Sequence, residues 1–247
     1  MGVKHIDINC DVGEGIDNEP QLFPYISSCN IACGGHAGDE DAMRKIALLA
    51  KEHSIKVGAH PSYPDKENFG RKVLKIPKEE FIRSIQQQVH TFLKVIDSEG
   101  LQLNHIKPHG ALYNEIAKNR EEAKTYLEAI HQFKNSTIVY VPYKSMIAEE
   151  AKKQNFRIKY EAFCDRNYNE DLTLVSRKQN NALITESKDV LNHILQMVEK
   201  DSVKTLSGVF KKIKADTFCI HGDTPKAVEL LTYLSKELPK KRIQISK

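Results

Sequence analysis

The segment Ile55-Lys-Val-Gly-Ala-His-Pro61 is a short apolar run that ends in a histidine and a proline. Residues 78–99 follow it, with apolar side chains at helical spacing and Gln and Lys on the opposite side. A second short apolar run occupies residues 103–106. This order predicts a strand, a helix and a strand. Because parallel neighbouring strands need a crossover connection that is usually helical, the stretch favours a parallel sheet covered by helices.

Short apolar runs and helical patterns alternate along the whole chain. Strands are predicted at residues 5–10, 29–33, 55–59, 103–106, 137–141, 157–163 and 217–220, while residues 172–176 form either a strand or an extended loop. Helices are predicted at residues 39–53, 78–99, 114–133, 143–155, 186–199 and 224–238. Seven or eight strands without a linker or a composition break favour a closed or nearly closed barrel. We therefore predict one α/β domain over residues 1–247, a TIM-like (β/α) barrel.

Composition and charge exclude several classes of protein. The 247 residues are 40% hydrophobic and 28% charged, which is typical of a folded chain and not of a disordered one. The net charge of +4 is too small and dispersed to indicate a nucleic-acid partner. The five cysteines form no CxxC pair, so free thiols in a reduced compartment are expected. With neither a signal peptide nor an apolar stretch of about 18 residues, we expect a cytoplasmic protein without a membrane partner.

Polar side chains collect where the predicted strands end. The set comprises Asp7, Asn9 and Asp11 of the first strand region, Asn30 and His36 of the second, His60 of the third, Lys107 and His109 of the fourth, Glu161, Asp165 and Arg166 of the sixth, and His221 and Asp223 of the last. The carboxyl ends of parallel strands meet at one face of a barrel, where these folds place their binding sites. The set is therefore our candidate functional site.

Each of these residues also has a purely structural interpretation. A polar residue just after a strand often forms a turn or caps a helix, and we predict that role for Asp39 and Thr224. Asp7 and Asn9 are harder to explain in this way, because they fall within a strand whose barrel face is normally apolar. Six histidines lie mostly in helices or early in strands and are interpreted as structural, namely residues 5, 53, 90, 105, 131 and 193.

Two kinds of chemistry fit the candidate site. Histidine beside carboxylates supplies general acid and base groups near pH 7. Alternatively, a divalent metal could bind to candidates Asp11, His36, His60 and His109, and the spacing does not separate the two possibilities. Lys107 offers a fixed positive charge for a carboxylate or an oxyanion. The sequence lacks a Walker-type loop, a dinucleotide fingerprint and a GxSxG elbow, so a small anionic substrate and acid–base or metal chemistry are favoured.

Six motifs together resemble the LamB/YcsF family. They are Asp7-x-Asn-x-Asp-x-Gly-Glu14, Asn30-Ile-Ala-Cys-Gly-x-His-Ala-Gly-Asp39, Gly58-Ala-His-Pro-Ser-Tyr-Pro-Asp65 with Phe69-Gly-Arg71, Lys107-Pro-His-Gly-Ala-Leu-Tyr113, Glu161-x-Phe-x-Asp-Arg166 with Tyr168, and His221-Gly-Asp223. They occur in order from about residue 5 to about residue 230. Six motifs in register are far more specific than any single one.

The resemblance implies a fold and a reaction. The fold is a seven-stranded, TIM-like barrel of the glycoside hydrolase/deacetylase type. The reaction is the hydrolytic opening of the 5-oxoproline (pyroglutamate) lactam to L-glutamate, coupled to ATP hydrolysis in a complex with 5-oxoprolinase subunits B and C. ATP would be a co-substrate bound mainly by those partners, and this chain would be the A component of the complex.

The resemblance also suggests roles for the site residues. His60 and His109 would be the acid–base pair, with Asp7 or Asp11 orienting one of them or the attacking water. Lys107 and Arg166 would hold the substrate carboxylate or a phosphate. The remaining substrate-binding candidates are Asn9, Asn30, His36, Glu161, Asp165, His221 and Asp223. Two alternatives stay open: a stand-alone metal-dependent amide or acetyl hydrolase, and a non-catalytic scaffold subunit.

Overall fold

The computed structural model describes residues 2–247 and is built around a closed barrel of parallel strands. The strands are β1 (Lys4–Ile6), β2 (Ile8–Val12), β3 (Ser28–Ala32), β4 (Lys56–His60), β5 (His105–Ile106), β6 (Ile138–Pro142), β7 (Arg157–Phe163), β8 (Ser202–Lys204), β9 (Phe210–Lys212), β10 (Thr217–Cys219) and β11 (Ile243–Ile245). The helices are α1 (Glu19–Leu22), α2 (Glu40–Glu52), α3 (Lys78–Ser98), α4 (Gly110–Lys118), α5 (Arg120–Ala129), α6 (Met146–Lys153), α7 (Ser187–Lys200) and α8 (Ala227–Glu237).

Seven strands close the barrel in the order β10-β2-β3-β4-β5-β6-β7. Strand β10 pairs in parallel with β2 on one side and with β7 on the other, so the sheet has no free edge. The predicted TIM-like (β/α) barrel and its seven strands are confirmed. All barrel strands are parallel, and so their carboxyl ends open on the same face.

The apolar core lies between the barrel and the surrounding helices. Helix α3 shows why: it buries Phe81, Ile85, Val89 and Phe92 against the barrel, as the helical spacing in the sequence predicts. Burying each side chain of this size contributes about 1.5–3 kcal/mol. All five cysteines are free and buried, in agreement with the expectation of free thiols. Among residues 2–247, no helix has the length and apolar character needed to cross a membrane.

Several predicted elements differ from the structure. The first predicted strand is divided, because β1 leaves the barrel to pair with the C-terminal strand β11, and only β2 enters the barrel. The predicted helix at residues 114–133 is two helices that separate at Asn119. This residue is extended, and its side chain accepts hydrogen bonds from the amides of Glu121 and Glu122. Residues 172–176 contain no strand, only a single bridge between Tyr168 and Leu174.

The two predicted helix caps have different outcomes. Asp39 caps α2 by accepting a hydrogen bond of 2.9 Å from the amide of Ala42, as predicted. The cap at Thr224 is wrong, because α8 begins at Ala227 after Lys226, whose φ is 64°. The Thr224 hydroxyl instead donates to the Asp165 carboxylate at 2.5 Å. The antiparallel hairpin of β8 and β9 was not predicted from the sequence.

Candidate active site

A cavity of about 820 Å³ opens at the carboxyl end of the barrel. Among the polar side chains of its lining are Asp11, Glu14, His60, Arg71, Lys107, His109, Tyr113, Glu161, Arg166, Arg177, His221 and Asp223. A cavity of this volume is large enough for a small metabolite with space to spare. Most of the candidate residues from the sequence therefore surround one space.

A buried lysine lies at the floor of this cavity. The Lys107 ammonium is 2.8 Å from Asp11 Oδ1, 2.9 Å from Glu161 Oε1 and 3.1 Å from Cys219 Sγ. Burial opposes a charge on Lys107, but these neighbours raise its pKa well above the usual value. Burial likewise opposes ionisation of Asp11, yet His60 and Lys107 lower the pKa of its carboxyl group. The floor thus carries charged side chains that are shielded from water. Charges interact more strongly in such an environment than in water.

Four side chains form a compact group on one wall, which we call the histidine cluster: Glu14, His36, His60 and His109. Glu14 Oε1 lies 3.0 Å from His36 Nε2, 3.2 Å from His109 Nδ1 and 3.8 Å from His60 Nε2. The His60 and His109 rings approach to 3.0 Å through Nε2 and Nδ1. All four side chains are at most 8% exposed.

Burial controls the charge of the histidine cluster. It lowers the pKa of His36 to about 4, despite the nearby Glu14, and it also lowers the pKa of His109. Burial alone would raise the pKa of Glu14, but the His109 and His36 rings hold it well below its usual range. Near pH 7 the cluster therefore combines the Glu14 carboxylate with neutral His36 and His109 rings.

Backbone geometry places the cluster on the wall. Strand β2 ends at Val12, and Gly13 then adopts a φ of 73°, which turns the chain so that Glu14 faces the cavity. At Gly70, a Cβ atom would lie 2.9 Å from His36 Cβ and 3.0 Å from His109 Cδ2. Only glycine permits this close approach, which brings the Phe69 carbonyl within 3.0 Å of His109 Nε2.

A second polar group fills the barrel below the floor, and we call it the lower network: Asp7, Asn9, Asn30, His105 and Thr217. Thr217 Oγ1 donates to Asp7 at 2.6 Å and accepts from Asn9 at 2.8 Å. The Asn30 amide donates to Asn9 at 2.8 Å, and Asn30 Oδ1 is 2.6 Å from His105 Nε2. These side chains pair with one another, except that Asp7 Oδ2 has no hydrogen bond and lies 3.8 Å from the Lys56 ammonium, and they do not line the cavity.

Asp165 also lies outside the cavity lining. Its carboxylate accepts from the His221 amide at 3.0 Å and from Thr224 Oγ1 at 2.5 Å, and the His221 ring is 3.0 Å away. Burial alone would raise the pKa of Asp165, but the His221 and Thr224 contacts lower it to about 2. This carboxylate therefore fixes the loop that carries His221 to the cavity.

The rim carries an arginine pair. Arg71 and Arg177 both donate to the Asp223 carboxylate, at 2.5 Å and 2.9 Å, and so connect three separate loops. Arg166 lines the cavity, but its guanidinium donates to the carbonyl oxygens of Val175 and Ala182. Arg166 thereby anchors the irregular segment that covers this side of the cavity.

The structure brings together Asp11, His36, His60, Lys107, His109 and Glu161. It separates Asp7, Asn9 and Asn30, which belong to the lower network, and it leaves Asp165 and Arg166 bonded to the protein itself. Three further residues of the site, Glu14, Arg71 and Arg177, received no role from the sequence. Glu14 and Arg71 lie in the quoted motifs, whereas Arg177 follows an irregular segment and gives no signal.

Carboxylates, histidines and a charged lysine at the open end of such a barrel are typical of (β/α)-barrel enzymes. The model of the LamB/YcsF family matches residues 6–247. The chain belongs to the LamB/YcsF family, which confirms the resemblance of the six motifs.

Individual relatives match this chain over nearly the full length of both proteins. The A subunit of 5-oxoprolinase from Thermococcus sibiricus is 41% identical over 97% of this chain and 96% of the relative. The A subunit of 5-oxoprolinase from Haemophilus influenzae strain PittEE is 35% identical over 99% of this chain and 100% of the relative. The solved structure of a lactam utilization protein from Thermus thermophilus has a TM-score of 0.91 and is 32% identical, covering 98% of this chain and 99% of that one.

Proposed function

We propose that this chain is the A subunit of an ATP-dependent 5-oxoprolinase, which opens the 5-oxoproline lactam to L-glutamate together with subunits B and C. The observation that carries the proposal is the similarity to the A subunits of 5-oxoprolinases over nearly the full length of both chains. The lactam utilization protein from Thermus thermophilus supports the same substrate class.

The charges of the cavity suit a small carboxylate such as 5-oxoproline. At the floor, the carboxylates of Asp11 and Glu161 outnumber the single ammonium of Lys107. At the rim, Arg71 and Arg177 share the single carboxylate of Asp223, which leaves one positive charge to receive the substrate. Bidentate binding of a carboxylate is the characteristic role of arginine. We therefore assign substrate capture to the rim pair; Lys107 and Arg166, the candidates from the sequence, are already bonded to groups of the protein.

The reaction needs a nucleophilic water and a protonated leaving group. Water oxygen bonds to the lactam carbonyl carbon, the carbon–nitrogen bond breaks, and the nitrogen takes up a proton to become the amine of glutamate. Amide resonance opposes the first step. Transfer of the γ-phosphoryl group of ATP to the lactam oxygen, with release of ADP, would weaken that resonance. Water addition and cleavage of the carbon–nitrogen bond would then give γ-glutamyl phosphate, which a second water hydrolyses to glutamate and inorganic phosphate. We assign ATP binding mainly to subunits B and C.

The histidine cluster and Asp11 are the groups that can move these protons. His60 and His109 would serve as the acid–base pair, with Asp11 3.4 Å from His60 Nε2 and Glu14 3.2 Å from His109 Nδ1. Lys107 would stabilise negative charge on the reacting oxygen. Asp7, Asn9 and Asn30 would act only indirectly, by fixing Asp11 from below.

Reconstitution tests this proposal. The chain is co-purified with subunits B and C, and glutamate release from 5-oxoproline is measured with and without ATP. We expect ATP-dependent release that the His109→Ala variant reduces by a factor of about 100 or more. A fully active His109→Ala variant would contradict the assigned role. Full activity of subunits B and C alone would support a scaffold subunit instead.

A stand-alone metal-dependent amide hydrolase is the second candidate, and the histidine cluster is the observation that favours it. The same assay separates the two functions. Turnover by the isolated chain without ATP would support the second candidate, whereas strict dependence on ATP and on subunits B and C supports the first.

A further inference from the structure

The hydrogen-bond roles of His60 and His109 can be read from their outer ring nitrogens. His60 Nδ1 is 2.7 Å from the carbonyl oxygen of Lys107, and His109 Nε2 is 3.0 Å from that of Phe69. A carbonyl oxygen can only accept, so each outer nitrogen carries the hydrogen. In the neutral rings, the inner nitrogens His60 Nε2 and His109 Nδ1 are consequently both acceptors.

These two acceptors face each other at 3.0 Å. Glu14 Oε1 lies 3.2 Å from His109 Nδ1, and Asp11 Oδ2 lies 3.4 Å from His60 Nε2. Three acceptor atoms thus converge on one point, Glu14 Oε1, His60 Nε2 and His109 Nδ1, and among these contacts only His36 supplies a hydrogen, to Glu14. Buried acceptors that face one another without a donor are costly, so the point requires a positive charge.

We propose that a divalent transition-metal cation binds at this point through Glu14 Oε1, His60 Nε2 and His109 Nδ1. Zinc with nitrogen and oxygen ligands at about 2.0–2.1 Å in tetrahedral geometry requires ligand atoms roughly 3.3–3.4 Å apart. The three distances between these atoms are 3.0, 3.2 and 3.8 Å. A single proton would serve only one pair of acceptors, whereas a cation serves all three.

The surroundings have the features of a metal site. Histidine ligands of metals generally donate their second ring nitrogen to a carbonyl or a carboxylate, as His60 and His109 do here. His36 supports the carboxylate ligand in the same way, by its contact with Glu14 at 3.0 Å. Glu14, His60 and His109 all line the cavity, so a fourth coordination position would face the substrate.

The ligand set differs from the candidates that the sequence suggested. Asp11 Oδ1 is committed to Lys107 at 2.8 Å, and its Oδ2 contacts only the His60 ring of the cluster, whereas Glu14 Oε1 contacts both His60 and His109. His36 supports Glu14, since its ring is stacked on His109 at 3.6 Å and the two rings cannot point at one ion. This inference deepens the proposed function, on which its catalytic meaning rests. With the cation bound, His60 and His109 would be ligands and not the acid–base pair, the cation would polarise water or the lactam carbonyl, and Asp11 would be the neighbouring base.

Metal binding by the isolated full-length chain tests the site directly. The purified chain is stripped with a chelator and titrated with Zn²⁺ by calorimetry, and bound metal is counted after gel filtration. We expect one Zn²⁺ per chain and a rise in the melting temperature. We expect His60→Asn and His109→Asn to weaken binding by about 100-fold or more, and His36→Ala to weaken it by about 10–100-fold.

His193→Asn is the matched control, because His193 is also a buried histidine but lies on α7, outside the cluster. It should bind zinc like the wild type. If a ligand variant fails to fold, the milder Glu14→Gln variant, checked by circular dichroism, replaces it. Zinc binding that is absent in the wild type, or unchanged in the folded ligand variants, would overturn the proposal and leave a shared proton at this point.

The result is independent of the oxoprolinase assay. A chain that binds no metal but supports ATP-dependent glutamate release would overturn the cation site and preserve the proposed function. A chain that binds zinc through these ligands but releases no glutamate with subunits B and C would do the reverse.

Discussion

The lower network and the histidine cluster are both buried polar groups inside one barrel, but they satisfy their hydrogen bonds differently. In the lower network donors meet acceptors: Thr217 joins Asp7 to Asn9, and Asn30 joins Asn9 to Asp11. In the histidine cluster, acceptor atoms of Glu14, His60 and His109 face one another. The lower network joins donors to acceptors, whereas the histidine cluster sets acceptors against one another.

This difference distinguishes polar side chains that stabilise the fold from polar side chains that can bind a ligand. A network of paired groups in a low-dielectric interior rigidifies the fold and has little capacity left for a ligand. A group of unmatched acceptors is unfavourable alone and becomes favourable only when a proton, cation or substrate arrives. Buried polar side chains therefore have opposite roles in the two regions of the barrel.

Lys107 joins the two regions, and we expect its removal to have the largest effect. Its ammonium contacts Asp11 and Glu161 at the floor and lies 3.4 Å from Asn9 below. Lys107→Met would leave two buried carboxylates uncompensated, at a cost of about 3–5 kcal/mol in the free energy of unfolding. We also expect loss of glutamate release in the reconstituted assay. Urea unfolding and the coupled assay measure the two effects.

The control for this change is Lys45→Met, since Lys45 forms an exposed ion pair with Asp17 on the surface. It should leave both stability and activity close to wild type. A Lys107→Met variant with wild-type stability would mean that Asp11 and Glu161 are not held as charged groups.

Thr217→Val tests the lower network, and its expected effect is smaller. The substitution keeps the shape but removes the buried hydroxyl that donates to Asp7 and accepts from Asn9. We expect a loss of about 2–3 kcal/mol in the free energy of unfolding, because the lost bond is to a carboxylate. The kcat of the folded variant should stay within about two-fold of wild type.

Thr217→Ser is the matched control, because it retains the hydroxyl and loses only a methyl group. It should recover most of the stability that the valine variant loses. A large fall in kcat for Thr217→Val at full stability would show that the lower network takes part in catalysis, against a purely structural role.

The barrel could be predicted from the sequence because its strands and helices have clear periods. Strand β7 matches its predicted bounds, and α3 differs by a single residue at its end. The errors occur where tertiary contacts decide. Strand β1 lies outside the barrel because it pairs with β11, more than 200 residues away in the sequence. The side chain of Asn119 caps α5 and so divides a continuous helical pattern into two helices.

The site was predictable as a set of residues but not as an arrangement. Side chains two apart on β2, such as Asn9 and Asp11, share the inner face of the barrel, but this period does not tell which of them lies above the floor. Glu14 depends on the turn at Gly13, and Arg177 depends on an irregular segment, so neither follows from strand periodicity. The split between paired and unmatched polar groups emerges only when distances are known.

Asp165 tests the distinction between the lower network and the histidine cluster. The sequence assigns this residue to substrate binding, but its contacts resemble those of the lower network. Its pKa is lowered to about 2 by His221 and Thr224, although burial opposes this. A carboxyl group whose folded pKa is below its unfolded value stabilises the fold above the unfolded pKa near 3.8. That stability is then lost as the pH falls from about 4 through 2.

We expect this loss to amount to about 2 kcal/mol of unfolding free energy between pH 5 and pH 2, beyond the loss shown by Asp165→Asn, which cannot titrate at this position. Urea unfolding of both proteins across this range measures the difference. Asp165→Asn should also be less stable than wild type at pH 7 and should change KM little once folded, since Asp165 does not line the cavity. Parallel stability curves for the two proteins, or a KM effect at unchanged stability, would instead place Asp165 with the functional groups of the histidine cluster.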